Sequence, residues 1–161
     1  MKARFAHLNL VARDWRKLAA FYERVFGCRP VPPERDLQGA WLEQATGLPG
    51  ARIRGLHLRL PGAGESGPTL EIFQYLPEGR DPDRAVNRPG YGHIAFAVED
   101  VAAAREAVLA AGGGEVGPLT TVPVTGAGTI TFVYLTDPEG NILELQRWVD
   151  RRRRPLSPGR A

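Results

Sequence analysis

Apolar and polar positions alternate with period two at the start of the chain. Phe5, His7, Asn9 and Val11 share one face of a predicted strand, and Ala6, Leu8, Leu10 and Ala12 share the other. At Asp14 the period changes to a helical one. The Asp14 carboxylate is placed to cap a helix running to about Phe26, with Leu18, Phe21, Tyr22 and Val25 at helical spacing and Gly27 as the stop. The same plan returns in the second half. Tyr91, His93, Ala95 and Ala97 face one way and Ile94, Phe96 and Val98 the other; Asp100 caps, and Val101, Ala104 and Val108 lead to Gly112–Gly114. Each half then continues into two further strands. They read "RIRGLHLRL" and "TLEIFQY" around the turn "PGAGESGP", and "GTITFVYL" and "NILELQRW" around "TDPEG". The first half is the longer, and "RDLQGAWLEQATGLPG" predicts a short inserted helix and loop that accounts for most of the excess.

This internal duplication predicts an α+β fold of two tandem βαβββ modules, about 4–77 and about 89–149, within one domain over 1–149. Each module would pack the apolar face of a curved sheet on its helix and leave the other face to line a cleft. A chain of 161 residues with 43% hydrophobic content can bury one substantial core. No apolar run approaches the roughly 20 residues that span a bilayer, and Phe5–Ala12 is interrupted by His7 and Asn9, so neither a signal peptide nor a membrane anchor is expected. The single cysteine, Cys28, has no partner for an internal disulfide, which agrees with a cytoplasmic location. The net charge of +3 comes from the end of the chain: residues 151–161 hold Arg151, Arg152, Arg153, Arg154 and Arg160 and no acid, and the chain before them is net acidic. The end of the chain, 150–161, reads as a disordered basic tail, and with no aromatic platform beside it a nucleic-acid partner is not expected.

The candidate chemistry lies on the faces turned away from the helices. Period-two geometry puts Glu71 with Thr69, Phe73 and Tyr75, against Leu70 and Ile72, and Glu144 with Ile142, Gln146 and Trp148, against Leu143 and Leu145. His7, Glu71, His93 and Glu144 therefore all belong to cleft faces. A carboxylate between aliphatics in mid-strand is costly unless paired, solvated or bound to a cation. Two imidazoles and two carboxylates supply nitrogen and oxygen ligands for a divalent metal and leave positions for water or a small substrate. Taken singly, each histidine reads as a satisfied buried side chain and each glutamate as an edge carboxylate in water. Their repetition at corresponding strands favours the metal. His57, with no counterpart in the second half, reads as a pocket wall or surface residue. Phe73, Tyr91 and Trp148 are candidate cleft aromatics, although side chains at such positions are usually plain core.

The stretches "GYGHIAFAVEDV", "AAGGGEVG" and "YLTDPEGNILEL" resemble the second half of bacterial glyoxalase I, and "HLNLVARDWRKLAAFYERVFG" resembles the first strand and helix of the same family. Over about residues 4–148 the chain is identified as a member of the vicinal oxygen chelate superfamily, the group of glyoxalases, bleomycin-resistance proteins and extradiol dioxygenases. The resemblance implies paired βαβββ modules forming a metal cup, often completed in a homodimer, with His7, Glu71, His93 and Glu144 at the ligand positions and Ni, Zn, Co, Mn or Fe as the ion. A metal with open positions can chelate two neighbouring oxygens of a substrate and stabilise an enediolate or enolate. Glu144 or Glu71 could move the proton, or Glu34 or Glu43 in the inserted segment could do so from outside the metal shell.

Three branches of the family bear on the reaction. A two-His, two-Glu set resembles glyoxalase I most closely and methylmalonyl-CoA epimerase next, where Gln stands at the place matching Glu71. Extradiol dioxygenases have a two-His, one-carboxylate set, for which Glu71 is unexpected. Bleomycin-resistance dimers bind ligands without a metal, and the full ligand set argues against them. One departure stands out. Glyoxalase I proteins that use a glutathione adduct carry an arginine four residues after the first ligand position, where this chain has Val11, and Arg13 falls two residues further on.

Overall fold

A computed structural model describes residues 3–80, 85, 87 and 89–149; the basic segment 150–161 lies outside the described residues. The chain divides into two compact units, Met1–Pro82 and Asp83–Ala161, each built around one mixed sheet.

The first unit runs β1 (His7–Val11), α1 (Trp15–Phe26), β2 (Arg29–Gln38), α2 (Ala40–Thr46), β3 (Arg52–Arg59) and β4 (Thr69–Leu76). Its strand order is β1-β4-β3-β2, with β1 parallel to β4 and the other pairs antiparallel. Asp14 caps α1 by accepting from the Lys17 amide at 3.1 Å. Gly27 ends it in the left-handed conformation, φ 67°, where a side chain would be strained. The helix buries Trp15, Leu18, Ala19, Phe21 and Tyr22, and the sheet offers it Leu56, Leu58, Leu70 and Ile72, all buried. Each such aliphatic contributes about 1.5–3 kcal/mol when fully withdrawn from water. Cys28 is buried beside this core, and burial, assisted by Glu23, pushes its thiol up to about 11. The thiolate is then scarce at neutral pH, so Cys28 is an inert core residue.

Part of the predicted insertion is strand. Residues 35–38 belong to β2, whose composition, "RPVPPERDLQ", hides it from a propensity reading. Three prolines are tolerated because β2 is the outer strand of the sheet order, and its register on β3 shifts between Val31 and Arg35. The inserted helix itself, α2, is present. It puts Leu42 in a second apolar cluster with Ala51, Ile53 and Phe73, flanked by Leu37, Leu48 and Tyr75. This cluster lies on the face opposite α1.

The second unit runs β5 (Ile94–Ala97), α3 (Val101–Ala110), β6 (Gly114–Glu115), β7 (Thr120–Val124), β8 (Gly128–Thr136) and β9 (Ile142–Val149). Its order is β5-β9-β8-β6, with β7 also paired to β8 and β5 parallel to β9. Asp100 caps α3 through the Ala103 amide at 3.0 Å. Gly113 follows where a Cβ would meet the Thr136 carbonyl oxygen at 2.5 Å and Val108 Cγ1 at 2.6 Å, so helix and sheet close on each other only with glycine there. Phe96, Val101, Val108, Val133, Leu135, Leu143 and Leu145 form the core.

The turn between β8 and β9 sets where Glu144 falls. Asp137, 1% exposed, accepts from the amides of Glu139 and Asn141 at 2.9 Å each and from Asn141 Nδ2 at 2.8 Å. Asp137→Ala leaves these donors without their acceptor and is expected to cost about 2–4 kcal/mol, read as a lowered midpoint of urea unfolding. An unchanged midpoint would mean that water replaces the carboxylate.

Candidate metal centre

Residues directly opposite on neighbouring strands share a face, so the pairings fix what surrounds each glutamate. Glu71 lies opposite Asn9 on β1 and His57 on β3; Glu144 lies opposite Ala95 on β5 and Tyr134 on β8. His7 is two residues before Asn9, and His93 two before Ala95, so both histidines stand at the same place relative to their glutamates. His93 itself immediately precedes β5.

The side chains meet accordingly. His7 Nε2 is 3.4 Å from Glu71 Oε2, and His93 Nε2 is 2.9 Å from Glu144 Oε2. Both glutamates are 9% exposed, the driest carboxylates in the described residues besides Asp137, whereas the histidines are more open to solvent. Each unit therefore presents, at the equivalent place, a histidine and a glutamate in contact on the face away from its helix. Among the described residues no group of three or more His, Cys, Asp and Glu side chains forms a ready-made cation site. By donor chemistry each pair fits a borderline divalent cation, which accepts imidazole nitrogen and carboxylate oxygen alike.

His57 is closer to the centre of this chemistry than the sequence reading had it. Its Nε2 is 3.2 Å from Glu71 Oε1, and its Nδ1 is 3.2 Å from Thr69 Oγ1. Burial lowers its pKa below the ordinary imidazole value, opposed by Glu71 and reinforced by the charges of Arg35 and His7. In the neutral ring this favours, Nε2–H donates to the carboxylate and Nδ1 accepts from the Thr69 hydroxyl. His57 also has a positional counterpart, Tyr134, whose ring lies 5.2 Å from that of His93. Burial, then the charge of Glu144, pushes the Tyr134 phenol up.

The two glutamates consequently differ. Glu71 is held at both oxygens, Oε1 by His57 and Oε2 by His7 and by Asn9 Nδ2 at 3.3 Å. Among the described residues Glu144 has only the His93 contact on Oε2, because Ala95 replaces Asn9 and Tyr134 replaces His57. Among the other sequence candidates, Phe73 stands edge-on to His57 at 5.8 Å. Trp148 is half-buried, its Nε1 donating to Gln146 at 2.8 Å. Tyr91 is 99% exposed and lines no wall within its own unit. Glu34 lies in β2 rather than the insertion and pairs with Arg16 of α1 at 3.1 Å, on the helix side of the sheet. Glu43 is in the first turn of α2.

Residues 4–145 match the model of the Glyoxalase/Bleomycin resistance protein/Dioxygenase superfamily. The chain belongs to that superfamily. No curated protein matches it. Among solved structures it is similar to a glyoxalase family protein from Bacillus cereus, with 20% identity over 93% of this chain and 97% of that one and a TM-score of 0.77. It is also similar to the fosfomycin resistance protein FosX from Listeria monocytogenes, with 20% identity, 92% and 96% coverage and a TM-score of 0.58. A second FosX structure, complexed with Mn(II) and a sulfate ion, matches at 16% identity, 92% and 95% coverage and a TM-score of 0.52. At these identities the likeness shows the fold.

Proposed function

We propose that the protein is a divalent-metal-dependent enzyme that acts on a small substrate with two neighbouring oxygens, by the proton-transfer chemistry of a glyoxalase-like lyase or an isomerase. The observation that carries this reading is the recurrence of one His–Glu contact at equivalent register positions in both sheets. The donors are His7, Glu71, His93 and Glu144, a set suited to Ni, Zn, Co, Mn or Fe. Bound there, the ion would supply Lewis-acid stabilisation of enediolate or enolate charge.

The chain's own residues account for the remainder. Glu144 moves the substrate proton, since its Oε1 has no protein hydrogen bond among the described residues. Glu71, fixed by His57, Asn9 and His7, serves as the immobile carboxylate. The reading includes a homodimer in the cytoplasm, which sedimentation and fractionation test directly. Elemental analysis after metal-replete purification is expected to give about one ion per chain. Protein that carries none, and does not bind any of the five ions when they are added, would overturn the proposal.

A further inference from the structure

The site face of the first unit carries a cation that the sequence reading did not use. Arg35 of β2 lies opposite Gly55 of β3, on the face shared by Val31, Leu37, Ile53, His57 and Glu71. It is half-buried, while its strand neighbours Glu34 and Asp36 are exposed. The other arginines near it are tied to acids: Arg16 to Glu34, Arg29 to Glu65, and Arg52 and Arg54 to Asp36. Arg35 has no such partner among the described residues. Its Nη1 donates only to the carbonyl of Pro33, two residues back in the same strand. Four further guanidinium N–H donors remain for a ligand.

Gly55 lets the ring of Phe73 close over the strand beside Arg35. A Cβ there would stand 2.0 Å from the Ile72 carbonyl oxygen and 2.6 Å from Phe73 Cδ1, so the position is held to glycine and no side chain separates Arg35 from the ring of Phe73. His57 is the diagonal neighbour of Arg35 across the two strands, roughly 7–8 Å away between Cα atoms in regular pairing. The Arg35 charge is felt at His57. Glu71 is one strand further, roughly 12 Å from Arg35 by strand spacing and rise, a separation that an arginine side chain and a small acid span together.

We propose that Arg35 is the anion-binding residue of the substrate site, so that the substrate is a small molecule carrying a carboxylate or a phosphate-type group at the end remote from the reacting carbon. A guanidinium holds either group through two parallel charge-assisted hydrogen bonds. The inference rests on the reading above only in taking this face as the substrate face.

The test is an NMR titration of the full-length protein at constant pH, following the His57 ring signals with inorganic phosphate and, separately, malonate, in metal-free and zinc-loaded samples. A saturable shift is expected with at least one anion in the metal-free protein, weakened about tenfold or more in R35Q, partly kept in R35K, and unchanged in R16Q. Backbone spectra of R35Q that match wild type confirm folding. Absence of a saturable shift with both anions, or an undiminished shift in folded R35Q, overturns the proposal. Should the protein bind anions through Arg35 and yet take up no metal, the metal reading fails and the anion site stands. Should it bind metal and show no Arg35-dependent shift, only the anion site fails.

Discussion

His93→Ala is expected to abolish tight metal binding while leaving the fold in place. The His93 side chain is 35% exposed and, among the described residues, its Nε2 reaches only Glu144, so little packing is removed. The residues that hold that edge of the sheet are Phe96, Leu143 and Leu145 on the other face, all buried. Loss of the ring contact with Tyr134 and of the Glu144 contact costs about 1 kcal/mol or less at a site this open. The effect on the metal is far larger. Removing even an outer hydrogen-bond partner of a ligand typically lowers affinity about 10–100-fold, and removing the ligand itself exceeds that. Cobalt titration followed by visible absorption, with thermal melts of the same samples, reads both quantities. A variant that melts like wild type and binds cobalt equally tightly would show that the His93–Glu144 pair is a solvated polar contact and not a donor set.

Much of the architecture was legible because local signals agreed with one another. Asp14 and Asp100 announced helix starts, and both accept the amide three residues on. Leu70, Ile72, Leu143 and Leu145, assigned to the helix faces by alternation, are all fully buried. The strands that escaped notice carry weak signals for physical reasons. β2 contains three prolines at an outer edge, β6 is two residues long, and β7 is a short, largely exposed strand interrupted by Pro123. That His7, Glu71, His93 and Glu144 belong to the faces away from the helices was legible from period two, since a face requires only parity; which of them touch depends on register.

The environment of Glu71 was not legible, because it depends on register. That His57 lies opposite Glu71 follows from how β3 and β4 are aligned across a long loop, and loops of that length do not fix register. The tighter turn at Asp137 makes the equivalent pairing of Tyr134 with Glu144 readable in retrospect. Arg35 was hidden for a different reason: β2, with three prolines at an outer edge, does not read as a strand, so no face could be assigned to its residues.

Methylglyoxal and glutathione are expected to be poor substrates, at least two to three powers of ten below an ordinary glyoxalase I in D-lactoylglutathione formation. In glutathione-dependent members of the family an arginine four residues after the first ligand anchors a glutathione carboxylate. Here that residue is Val11, which lies opposite Phe73 on the face of Glu71 and is 53% exposed, so the position is open but uncharged. Arg13 does not substitute for it. It lies beyond the end of β1, and its Nε is bonded to Glu78 Oε1 at 3.1 Å. Losing a two-point charge-assisted contact costs a few kcal/mol of transition-state binding, which is the origin of the stated factor. Val11→Arg restores the charge at a solvent-accessible strand end, where it displaces no core side chain, and is expected to raise whatever residual rate exists. The assay is run with Ni, Co or Zn supplied. Turnover by the unmodified protein at about 1–1000 per second with a sub-millimolar KM would sink the idea and make the glutathione hemithioacetal its substrate. A low rate that Val11→Arg raises would instead place the missing anchor at this one position, with the catalytic residues otherwise competent.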